Sequence, residues 1–77
     1  MPNIKIYSTP TCPYCQMAKQ FLDNKGIAYT SIDVTTDQQA ATEMVNKSGQ
    51  MGVPVLDIDG HILTGFDRDR ISEILNI

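Results

Sequence analysis

Two cysteines are the whole thiol inventory of this chain, and they stand three positions apart in Cys12-Pro13-Tyr14-Cys15. A strand-like stretch precedes the pair and a helix-like stretch follows it. If a helix begins at Pro13, Cys12 is its N-cap and Cys15 lies about one turn further in. Proline suits that first helical position. Its missing N–H has no intrahelical partner there, and its fixed φ is ready for helix entry. The N–H groups of Tyr14 and Cys15 then face the Cys12 sulfur, and the helix dipole favours negative charge at that point. The thiolate is the nucleophilic form, so a lowered pKa would make Cys12 reactive near neutral pH. Cys15, lying deeper, is expected to stay protonated until used. One sulfur attacks and the other resolves, the division of labour that thiol–disulfide exchange requires.

Other uses of a Cys pair are less well served. As a structural staple, closing a four-residue ring removes only about 2 kcal/mol of unfolded-chain entropy. Zinc asks for four ligands, and the only histidine, His61, lies far along the chain. No metal site built by one chain is expected. An iron–sulfur cluster shared by two chains stays open on these grounds.

Length and composition bound the rest. Residues 1–77 are expected to form one small domain with a modest core. The net charge of -3, without any Lys/Arg cluster, argues against a nucleic-acid partner. The opening Met-Pro-Asn-Ile-Lys-Ile-Tyr has no basic stretch followed by a long apolar run. No signal peptide and no membrane span are therefore expected, and a cytoplasmic monomer is.

The elements that must position the thiols follow from periodicity. Asn3 to Tyr7 reads as a strand, with Ile4 and Ile6 on one face and Lys5 and Tyr7 on the other. Pro10 keeps Thr9 out of a helix. A helix is predicted from about Pro13 to Lys25, burying Cys15, Ala18 and Leu22, with Met17 and Phe21 beside them as core residues. Gly26 stops it. Ile27 to Asp33 reads as a second strand, parallel to the first. Thr36 with Gln39, or Thr35 with Gln38, resembles a capping box for a second helix over about Asp37 to Lys47. That helix turns Ala40, Ala41, Met44 and Val45 inward and ends at Gly49. Its Glu43 and Lys47 read as a solvated i, i+4 pair. Val53 to Ile58, Asp59-Gly60 and His61 to Leu63 read as an antiparallel hairpin, with Pro54 at a strand's first position or on an edge. His61 reads as a solvated turn residue rather than a base. Asp67 reads as the N-cap of a last helix whose Ile71, Ile74 and Leu75 face inward. Phe66 is open to two readings, a core residue or an exposed aromatic that grips a partner.

With these elements in place, the chain resembles the glutaredoxin family from end to end. The carriers are Cys12-Pro13-Tyr14-Cys15 after the first strand, Val53-Pro54 before the hairpin, and Gly65-Phe66-Asp67 before the final helix. The resemblance implies an α/β fold, the thioredoxin fold in its minimal form: βαβαββα, three helices and a four-stranded mixed sheet in order 2-1-3-4. It implies Cys12 as nucleophile, Cys15 as resolving thiol and a redox disulfide between them. A cis Val53–Pro54 bond is also implied, leaving the Val53 backbone free to pair with an incoming peptide or glutathione. Tyr14, Val53, Pro54, Gly65, Phe66 and Asp67 would shape that groove.

The resemblance implies a protein-disulfide reductase with no bound cofactor. Glutathione would be its co-substrate and disulfide-containing proteins its partners. Many glutathione-dependent members carry Lys where this chain has Thr9, Thr where it has Gly52, and an acid where it has Arg68. Thr64-Gly65-Phe66 is more similar to the small redoxins that serve ribonucleotide reductase and draw electrons from thioredoxin reductase. Glutathione and a thioredoxin-reductase-type flavoprotein are thus both implied as electron sources. An iron–sulfur carrier, a dimer with glutathione completing the ligands, is the alternative function.

Overall fold

The computed structural model describes residues 3–77, so Met1 and Pro2, part of the leader reading, lie outside the described residues. The chain order is β1 (Ile4–Ser8), α1 (Pro13–Asn24), β2 (Thr30–Asp33), α2 (Gln38–Ser48), β3 (Val55–Ile58), β4 (His61–Thr64) and α3 (Arg68–Leu75). The strands form one sheet in the order β2-β1-β3-β4. β1 and β2 are parallel, and β3 runs antiparallel to both β1 and β4. This is the predicted three-helix, four-stranded topology.

Strand alternation divides the core in two. On one face Ile4, Ile6, Leu56, Ile58 and Leu63 pack against Ala18 and Leu22 of α1 and Ile71 of α3. On the other, Tyr7 and Val55 pack against Ala40 and Met44 of α2. The helices therefore cover both faces of the sheet.

The ends of the elements depart from the sequence reading for local reasons. α1 closes with a Schellman motif: Gly26 N–H donates to the Asp23 carbonyl and Ile27 N–H to the Leu22 carbonyl, each at 3.0 Å, with Gly26 at φ 68°. Ile27 is thus spent on ending the helix, and β2 begins only at Thr30. Neither threonine caps α2. Asp33 Oδ1 accepts both the Thr35 N–H (2.9 Å) and its hydroxyl (2.6 Å), and the Thr36 hydroxyl donates to the Asp33 carbonyl (3.4 Å). Asp37 takes the N-cap instead, accepting from Ala40 N–H at 3.0 Å. β3 starts at Val55 rather than Val53, directly after the buried Pro54.

The Glu43–Lys47 pair is not simply solvated. Lys47 Nζ lies 3.0 Å from Glu43 Oε1 and 2.7 Å from Asp57 Oδ2 of β3. It also donates to the hydroxyl of the fully buried Tyr7 at 3.1 Å, and that hydroxyl donates to Glu43 at 2.8 Å. Asp57 Oδ1 accepts from Gly60 N–H at 3.0 Å, so one carboxylate ties the hairpin turn to α2. Burial pushes the Asp57 carboxyl up, but the Lys47 and Gly60 hydrogen bonds and the lysine charge outweigh it and hold it below the usual carboxylate range.

A carboxyl lowered on folding contributes stability above its unfolded pKa and loses it as pH falls through the folded one. Lys47→Met is therefore expected to lower Tm at pH 7 by about 4–8 °C, the shift for about 1 kcal/mol in a chain this small. The wild-type and variant Tm curves should converge as pH drops below about 4. Thermal melts by circular dichroism across pH check both.

Candidate active site

α1 begins where the sequence places it. Cys12 is its N-cap in extended conformation (φ -92°, ψ 110°), and Pro13 is the first helical residue. The Cys12 N–H reaches back to the Thr9 carbonyl at 3.4 Å, and the Cys12 carbonyl accepts the Gln16 N–H at 3.2 Å. Of the two amides expected to face the sulfur, Cys15 makes the bond: its N–H donates to Cys12 Sγ at 3.2 Å. A thiol thus occupies the place usually held by a Ser, Thr, Asn or Asp oxygen. The first turn carries no acidic side chain to oppose negative charge there.

Both cysteines are free thiols, Cys12 half-buried and Cys15 fully buried. Burial first, and then the hydrogen bond with Cys12, push the Cys15 thiol up to about 11. A backbone hydrogen bond at Thr9 and the charge of Lys19 act against that rise. The two sulfurs are therefore unlike: one at the helix entrance, the other inside and held protonated.

A second group of predicted residues meets at the far end of the hairpin. The Val53–Pro54 peptide is cis. The Pro54 carbonyl accepts the Gly65 N–H at 2.8 Å, binding the two segments together. Gly65 has φ 83°, a left-handed conformation that strains any residue with a Cβ. Asp67 caps α3, accepting from Arg70 N–H at 3.1 Å. Phe66 is half-buried: it packs against the core and meets Phe21 edge-on at 6.1 Å, and its other side lines an open cleft. An open cleft of about 570 Å³ is lined by Met17 of α1, Thr64, Gly65, Phe66, Asp67, Arg68 and Asp69.

That cleft gathers Gly65, Phe66 and Asp67, while Cys12, Tyr14 and Val53 are not among its lining residues. Tyr14 stands 61% exposed. Met17, expected in the core, is instead 47% exposed. At 100° per residue it points about 130° away from the Cys15, Ala18 and Leu22 stripe, so the helical wheel carries the signal. Arg68 and Asp69 join the cleft because Asp67, as N-cap, sends them into the exposed first turn of α3. His61 is exposed at the start of β4, opposite Ile58. Among the described residues, no group of three or more His, Cys, Asp or Glu could hold a metal ion. No described helix is long and apolar enough to cross a membrane.

The glutaredoxin family model matches residues 4–63. The chain belongs to the glutaredoxin family. This glutaredoxin is 44% identical over 72 residues to a glutaredoxin-like 8.6 kDa protein in the rubredoxin operon of Clostridium pasteurianum, covering 94% of this chain and 96% of that one. It is 36% identical over 67 residues to glutaredoxin 3 of Escherichia coli, covering 87% and 81% of the two chains. Among solved structures, it resembles a mutant of the thioredoxin-like protein BC3987 with a TM-score of 0.92. The two are 32% identical, over 100% of this chain and 99% of the other. It also resembles the glutaredoxin-like NrdH-redoxin of Escherichia coli (TM-score 0.82, 26% identity, 94% and 93% coverage). The fold and family place it among thiol redox proteins of the thioredoxin fold.

The inequality of the two thiols is measurable in this glutaredoxin. In a Cys12→Ser variant, iodoacetamide should label Cys15 at pH 7.5 at least about tenfold more slowly than in the urea-unfolded chain, where the thiol titrates near 8.5. The folded rate should still be climbing above pH 9. Equal folded and unfolded rates would contradict the burial of Cys15.

Proposed function

We propose that this glutaredoxin is a dithiol disulfide reductase. The Cys12 thiolate attacks a disulfide or a glutathionylated thiol and forms a mixed disulfide. Cys15 then displaces the reduced product and closes the Cys12–Cys15 bond. The observation that carries this reading is the 3.2 Å hydrogen bond from Cys15 N–H to Cys12 Sγ at the opening of α1. That bond and the helix dipole favour the anionic sulfur. The buried, protonated Cys15 is the reserve nucleophile, placed one turn away from the bond it must break. Tyr14, Val53, Pro54, Gly65, Phe66 and Asp67 are read as the groove that receives the partner. A backbone edge at Val53 would pair with it as an added strand.

Two donors can reopen the disulfide: glutathione, or a flavoprotein of the thioredoxin-reductase type. The 36% identity to glutaredoxin 3 supports the first, and the likeness to NrdH-redoxin together with Thr64-Gly65-Phe66 supports the second. Target proteins carry accessible disulfides, with ribonucleotide reductase among the class. A cytoplasmic monomer that binds no cofactor fits this use.

Cys12→Ser is expected to abolish reduction of every disulfide substrate. Cys15→Ser should accumulate a mixed disulfide with a protein target, seen as a covalent adduct on a non-reducing gel and by mass. Full activity in Cys12→Ser would sink the assignment. Supplied with NADPH, the wild type should turn over with glutathione plus its reductase, or with thioredoxin reductase. Following absorbance at 340 nm separates the two, and failure with both would contradict the reductase reading.

A further inference from the structure

The resolving step calls for a Cys15 thiolate, yet that sulfur is fully buried and its thiol is pushed up to about 11. Once Cys12 is bound in a mixed disulfide it carries no negative charge, so that part of the opposition disappears. Two influences remain in favour of the thiolate: the backbone hydrogen bond at Thr9 and the charge of Lys19. Lys19 follows Cys15 by four residues in α1, so the two side chains are neighbours one turn apart on the same helix face. It is half-buried rather than free in solvent. Its charge also acts on Asp33, whose carboxyl is held low chiefly by the Thr35 hydrogen bonds. Asp33 ends β2 and pairs with Ser8, the last residue of β1 before the loop to Cys12. The groups acting on Cys15 are thus Cys12 at the N-cap, Lys19 of α1 and Thr9 of the β1–α1 loop, and the charge of Lys19 reaches Asp33 of β2 as well.

We propose that Lys19 is a positioning residue for the resolving half of the exchange. Its ammonium, one turn beyond Cys15 and near the Asp33 end of the sheet, stabilises the Cys15 thiolate as it attacks. The inference rests on the exchange reading of Cys12 and Cys15. In the step, Cys15 gives its proton to solvent and its sulfur bonds to Cys12 Sγ. The bond from Cys12 to the partner sulfur breaks, and the partner leaves as a thiolate that takes up a proton. The cysteine pair is oxidised by two electrons and the partner is reduced. A stabilised thiolate is a weaker nucleophile, but with a Brønsted slope of about 0.4–0.5 the gain in thiolate fraction outweighs that loss.

Stopped-flow reaction with a dithionitrobenzoate disulfide separates the steps, because attack by Cys12 releases one thionitrobenzoate and resolution by Cys15 releases the second. At pH 7, Lys19→Met is expected to slow the second release by about two- to fivefold, with a smaller change in the first. Lys19→Arg, which keeps the charge, should retain the wild-type second phase. An unchanged second phase in Lys19→Met, or equal slowing in Lys19→Arg, overturns the role of Lys19. Absence of a second release in the wild type overturns the exchange reading, and this proposal with it.

Discussion

The Cys15 amide pointing at the Cys12 sulfur is the contact on which the site depends. It exists because α1 starts at Pro13 and nowhere else. Pro13 keeps Cys12, the residue before it, in the extended N-cap conformation, and its missing N–H is harmless at the first helical position. The rest of α1 holds that start against the sheet. Cys15, Ala18 and Leu22 are all fully buried, so the helix cannot rotate without exposing apolar surface. The same burial that anchors the helix also keeps the Cys15 thiol protonated. Packing and chemistry are thus two consequences of one stripe of side chains.

The opposite face of the sheet is held differently. There a polar network crosses the interface, with Lys47 between Glu43, Asp57 and the Tyr7 hydroxyl. Tyr7 lies next to Ser8, where β1 ends and the loop to Cys12 begins, and it pairs with Val55, the residue after Pro54. The strand that leads to Cys12 and the strand that follows the cis proline are therefore neighbours tied to α2 from below. The end of the molecule that carries Cys12 and Tyr14 can stay open because its two supports are fixed elsewhere.

Most of this was legible in the residues. Periodicity located every helix and strand, Asp59-Gly60 marked the hairpin, and Cys12-Pro13-Tyr14-Cys15 marked the helix start. What failed was decided by competition for hydrogen bonds. Thr35 and Thr36 looked like caps, but Asp33 claims them, and Asp37 caps α2 instead. Ile27 looked like a strand residue, but the α1 terminus uses its amide. Lys47 looked solvated because its partners Tyr7 and Asp57 lie 40 and 10 residues away in sequence. Met17 is hydrophobic yet exposed, because its angle on the helix points away from the buried stripe. At the site, the cysteines and the Gly65-Phe66-Asp67 segment could be named from sequence, but not which of them share a cleft.

The difference between the two thiols is measured most directly by the distribution of label in the reduced wild-type protein. At pH 7, less than one equivalent of iodoacetamide is added and fragment-ion mass spectrometry locates the alkylated sulfur. An amide-supported sulfur at the helix entrance beside a buried, protonated one predicts label almost wholly on Cys12. Label shared equally, or carried chiefly by Cys15, would contradict it.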